Sequence, residues 1–80
     1  HTHGKVRSVA AGAALFAESS AGKSMFFVAS GEVALTRGGK PLDVIKAGEV
    51  LGEMSVFTGE PRSATATARS AVEVIELEAG

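Results

Sequence analysis

The sequence predicts a mainly β domain, a β-sandwich or a jelly-roll barrel, on three observations. Ten glycines punctuate the chain, and most intervals between them hold apolar-rich runs of about four to eight residues, the length of short strands joined by turns. Several of these runs alternate with period two, which turns one face inward. Only Glu53-Met54-Ser55-Val56-Phe57 has helical spacing, and it lasts barely more than one turn.

The elements follow in order. Val6 to Val9 and Ala13 to Ala17 flank Gly12, and Met25 to Ala29 is one of the most apolar runs, ending before Gly31. Glu32 to Thr36 and Leu42 to Lys46 flank Arg37-Gly38-Gly39-Lys40. Paired glycines there supply the positive φ angles of a tight turn and predict a β-hairpin. A short helix is expected to start at Gly52-Glu53. Ser63 to Arg69 and Val72 to Leu77 complete the set. In the last run Val72, Val74 and, less cleanly, Glu76 share one face while Glu73, Ile75 and Leu77 share the other, so its end is expected to pack on both sides.

Composition narrows the function. The chain has 80 residues, with 8 Lys+Arg against 9 Asp+Glu and no cysteine. This predicts one domain over residues 1–80 with no disulfide and a light, alanine-rich core; a chain of this size hides only roughly 60% of its unfolded surface. A balanced charge with no basic run leaves little footprint for direct nucleic-acid binding. The apolar runs fall far short of the ~18 residues of a membrane span. His1-Thr2-His3-Gly4 has neither an initiating Met nor a signal-peptide pattern, so residues 1–4 are expected to be a disordered or tag-derived end of a longer natural chain.

Catalytic chemistry finds few candidates. His1 and His3 are the only imidazoles and sit at the terminus, so neither a nucleophile-base pair nor a metal site is expected. Jelly-roll metalloenzymes of the cupin type need several histidines and a carboxylate within the barrel, which the strands here lack. The distinctive stretch is Val50 to Thr65. Gly52 lets backbone N–H groups at a helix start approach an anion closely, and phosphate is the natural guest. Arg62 has the parity of Ala64, Ala66 and Ala68, so its planar donor fork faces the small-residue side where a ligand has room. Glu53 suits an acceptor of hydroxyl groups, and the two together suggest a phosphorylated sugar. The plain alternative is that Glu53 caps its helix and Arg62 pairs with Glu53 or Glu60 on the surface.

The stretch LGEMSVFTGEPRSATATA resembles the phosphate-binding cassette of the cyclic nucleotide-binding domain family, of the catabolite-activator and kinase-regulatory type. It keeps the family's Gly-Glu, short apolar helix and Pro-Arg, with nine residues from Glu53 to Arg62. Upstream, SMFFVASGEVALTRGGKPLDVIKAGEV is similar to the family's third to fifth strands, and VEVIEL to its last strand. The resemblance covers about residues 6 to 78. It implies a double-stranded β-helix (jelly-roll) barrel with one short phosphate-cassette helix.

By that resemblance, Arg62 binds the cyclic phosphate and Glu53 accepts from the ribose 2′-hydroxyl. Gly52, Met54 and Ser55 offer backbone contacts, Ser63 and Ala64 complete the cradle, and Leu51 and Thr65 line the pocket. Ser63 leans to cAMP over cGMP, since Thr there is the commoner partner of guanine. The implied protein is a cytoplasmic regulatory module that binds a cyclic nucleotide, uses no cofactor or metal, is no enzyme, and relays binding to an attached effector domain or partner chain; the alternative is a ligand-free scaffold or interaction domain of the same fold. Several positions depart from the pattern. Glu18-Ser19-Ser20-Ala21-Gly22-Lys23 lacks the usual turn glycine and acid, Ser55 replaces Ala, Ala47 replaces Pro, and Leu51 replaces an aromatic. The family's C-terminal lid helices, which close over the base, are absent from the 80 residues.

Overall fold

The computed structural model describes residues 4–22 and 24–78, with the side chains of 54, 55 and 57 outside that description. Eight strands and one helix follow in order: β1 Gly4–Val9, β2 Ala14–Phe16, β3 Ser24–Ser30, β4 Glu32–Arg37, β5 Lys40–Lys46, β6 Val50–Leu51, α1 Glu53–Thr58, β7 Thr65–Ala68 and β8 Val72–Glu78. They form two four-stranded sheets, β1-β8-β3-β6 and β2-β7-β4-β5, in which every pairing is antiparallel. This is the expected jelly roll.

Period-two alternation builds the core. On β3 Ser24, Phe26 and Val28 are buried, on β7 Ala66 and Ala68, and on β8 Val72 and Val74. These join Val9, Leu15, Val33, Ile45 and Leu51 between the sheets. Alanines on β7 contribute little side-chain volume, which makes the core light. The end of β8 is packed on both sides as expected, with Ile75, Glu76 and Leu77 all half-buried.

The hairpin also forms where expected. Arg37 pairs with Lys40, and Gly38 and Gly39 take φ of 58° and 81°, the left-handed pair that matches strand twist. Three expectations need correction. Gly4 belongs to β1, paired with Leu77, rather than to a frayed end; residues 1–3 lie outside the described residues. β6 was not foreseen, because two residues carry no period; it exists by pairing with Phe26 and Phe27 of β3. β7 begins at Thr65 rather than Ser63, since the Arg62 backbone is held instead by the β2–β3 loop: Ser19 N donates to Arg62 O and Arg62 N to Ser20 O, both at 2.8 Å.

Candidate functional site

β6 ends at Leu51 and hands the chain to Gly52, whose φ of 82° makes the sharp entry into α1 that a side-chain-bearing residue would resist. Glu53 stands in the first turn of that helix. Leu51, Gly52 and Glu53 form one wall of a pocket of about 250 Å³. Arg62 and Ser63 form another, and Phe16 of β2, Leu35 of β4, Asp43 and Ile45 of β5 and Val50 of β6 complete it.

Arg62 is only 4% exposed, so its charge must be satisfied from within. Nη1 donates to Gly52 O at 2.9 Å and Nη2 to Ser24 O at 2.7 Å. The guanidinium lies over the Phe16 ring, 4.4 Å from its centroid, with the Phe26 centroid at 5.8 Å, a cation–π stack that an arginine makes well. Backbone closes the remaining sides. A Cβ on Gly52 would come within 2.6 Å of Nη1, and one on Gly22 would overlap Nε and Cζ. Burial pushes the Arg62 guanidinium below its ordinary pKa and the charge of Glu76 pulls it back up; an arginine remains protonated under both.

Two residues that line the pocket each carry a buried polar atom with no hydrogen-bond partner among the described residues: Arg62 Nε, a donor packed against Gly22, and Glu53 Oε2, an acceptor. Each orphan costs about 1–3 kcal/mol of lost hydration. The surface pairing of Arg62 with Glu53 or Glu60 is not found: the ion pairs among the described residues are Arg7–Glu76 and Arg69–Glu32.

Of the residues expected at the site, Leu51, Gly52, Glu53, Arg62 and Ser63 meet at the pocket. Ala64 is buried and does not line it, and the Thr65 hydroxyl turns to the β2–β3 loop, accepting from Glu18 N at 3.0 Å. The backbone of Met54 and Ser55 is part of α1; their side chains are outside the described residues. Sequence reasoning missed Phe16, Leu35, Asp43, Ile45 and Val50. Leu35 and Ile45 share the inward parity of Val33, a signal that could have found them; Phe16 and Asp43 carry no local signal, because their role depends on how the sheets stack. Among the described residues no group of three or more His, Cys, Asp or Glu could hold a metal, and no helix is long and apolar enough to cross a membrane.

Known proteins resemble this chain in sequence and fold. The cyclic nucleotide-binding domain family matches residues 6–80. A cyclic nucleotide-gated potassium channel of Rhizobium etli is 37% identical over 73 residues, covering 91% of this chain and 20% of the channel. A cAMP-dependent protein kinase regulatory subunit of Yarrowia lipolytica is 34% identical over 68 residues, covering 82% of this chain and 18% of that protein. The chain therefore spans about a fifth of the length of these relatives. The structure of the Thermus thermophilus catabolite activator protein superposes with a TM-score of 0.88 at 34% identity, over 94% of this chain and 38% of that one. Because the family match runs from the first sheet through α1 and Arg62 to the end of β8, the chain belongs to the cyclic nucleotide-binding domain family.

Proposed function

We propose that the pocket is a receptor for a cyclic nucleotide, with cAMP preferred and cGMP second, and that binding is relayed to an attached effector. The observation that carries this reading is the meeting of Arg62 and Glu53 on one cavity, each with a buried polar atom, Nε and Oε2, that has no hydrogen-bond partner among the described residues. A cyclic phosphate oxygen accepts from the first, and a ribose 2′-hydroxyl donates to the second. Gly52 and the cassette backbone stand at the entry of α1, Ser63 at the edge of the cradle and Leu51 on the apolar wall. Leu35, Ile45 and Val50 offer an apolar surface to a base. The Yarrowia relative's name supports cAMP, and the Rhizobium relative's name supports an effector driven by a cyclic nucleotide.

Isothermal titration with cAMP, cGMP and 5′-AMP tests this. Saturable heat with cAMP, weaker heat with cGMP and none with 5′-AMP is the expected result; no heat with either cyclic nucleotide would refute it. One observation favours a scaffold as the second reading. Both Nη atoms of Arg62 already hold main-chain carbonyls, so the arginine serves the fold even without ligand. The titration separates the two readings.

A further inference from the structure

A chain of charges lies behind the pocket, on the sheet that does not carry Arg62. The inward parity of β8 runs Val72, Val74, Glu76, so the alternation that buries two valines also turns a carboxylate into the end of the barrel. The Glu76 side chain is 20% exposed, and its Oε1 lies 3.3 Å from Arg7 Nη1. Its Oε2 accepts from the Ser24 hydroxyl at 3.0 Å. Ser24 is itself buried, and its carbonyl is the oxygen that takes Arg62 Nη2 at 2.7 Å. One residue thus offers its hydroxyl to a carboxylate and its carbonyl to the guanidinium of the anion site. Phe26 packs against both arginines, its centroid 6.0 Å from Arg7 Cζ and 5.8 Å from Arg62 Cζ.

No ion pair joins Arg62 directly to Glu53 or to Glu76 among the described residues, but Glu76 alone is tied to the guanidinium through Ser24, by the hydroxyl on one side and the carbonyl on the other. We propose that Glu76 is the resident counter-ion of Arg62 and sets the affinity of the site for phosphate, holding it below what the guanidinium alone would give. The inference rests on the cyclic nucleotide reading for its ligand but not for its electrostatics. A fixed negative charge one residue behind the guanidinium stabilises the empty pocket and repels an incoming anion, through a low-dielectric path that salt screens poorly. The electrostatic pull of Glu76 on the Arg62 proton has the same origin. Arg7 holds part of the Glu76 charge away from the site, and its own side chain is 44% exposed.

The test is Glu76→Gln, which keeps an acceptor for Ser24 and removes the charge. Cyclic AMP is expected to bind about three- to tenfold tighter, while the ligand-free variant melts lower. Ser24→Ala, which breaks the hydroxyl link but keeps the charge, should not tighten binding. If wild type binds cAMP and folded Glu76→Gln binds equally or less tightly, the counter-ion role is overturned and the receptor reading stands. If neither binds cAMP, the receptor reading fails, and inorganic phosphate becomes the probe: a larger rise in melting temperature for Glu76→Gln than for wild type supports the counter-ion, and an equal or absent rise overturns it. Should Glu76→Gln not fold, Arg7→Gln is the second variant. Releasing Glu76 from Arg7 should weaken anion binding about two- to threefold relative to Arg69→Gln, an equal charge change at the far end of β7; no difference between the two would overturn the proposal.

Discussion

Arg62 ties the fold to the site because a guanidinium has five donors in one plane and the fold consumes only some of them. Two reach Ser24 O and Gly52 O, while Nε is buried without a hydrogen-bond partner among the described residues. Arg62→Ala should therefore lose twice: about 2–4 kcal/mol of stability in urea unfolding, from two buried carbonyls left without donors, and cAMP binding altogether. Arg62→Lys keeps the charge but not the fork or the ring stack, and should still weaken cAMP by at least about tenfold in calorimetric titration. Gly22 is coupled to the same group. A methyl there overlaps the guanidinium, so Gly22→Ala should cost about 1–3 kcal/mol and lower the melting temperature, with a parallel loss of affinity that a purely local loop effect would not produce. The sequence made Glu53 and Arg62 legible through the resemblance to the family's cassette, where spacing and parity alone left a surface pairing open. It could not show Gly22, Phe16 or Ser24 around them, because these come from the loop and strands preceding Arg62 by 38 or more residues and meet it only once the sheets face each other.

Among the elements, the β2–β3 loop holds the one non-glycine residue with a positive φ among the described residues. Ser19 takes φ of 69°, in the stretch where the family's usual turn glycine is missing, and its N–H holds the Arg62 carbonyl. A serine in that region gives up about 1–2 kcal/mol against a glycine's freedom, offset in part by the greater unfolded entropy of glycine. Ser19→Gly should accordingly raise stability by about 0.5–1 kcal/mol, seen as a higher urea midpoint at unchanged slope. In this chain the loop holds the Arg62 backbone on both sides, through Ser19 N and Ser20 O. The hairpin turn was readable from Gly38-Gly39 alone, since turn chemistry is local. β6 was not, because its two residues owe their strand to backbone pairing with Phe26 and Phe27, partners 25 (51 − 26) and 23 (50 − 27) residues away along the chain.

For the whole molecule, a light core makes stability and ligand binding interdependent. The largest fully buried side chains are Val28, Val33, Val72 and Val74, and a chain of this length has about 4–12 kcal/mol of total stability to lose. Val74→Ala should remove about 2 kcal/mol of it through lost burial and a residual cavity. Cyclic AMP at a hundredfold excess over its Kd should restore about 2.7 kcal/mol by mass action, so the variant's melting temperature in saturating ligand should approach that of the ligand-free wild type. The two-sheet architecture was legible from alternation and turn spacing, which are period-two signals along the chain. The pocket's far wall was not, because Asp43 and Val50 are exposed strand residues that become lining only where β5 and β6 approach α1. The most direct test of the central claim follows the Arg62 Nε–Hε resonance by heteronuclear NMR while cAMP is added. The resonance should move downfield and gain protection from solvent exchange in step with saturation; a resonance that stays in place while cAMP binds would contradict the assignment of Arg62 as the phosphate anchor.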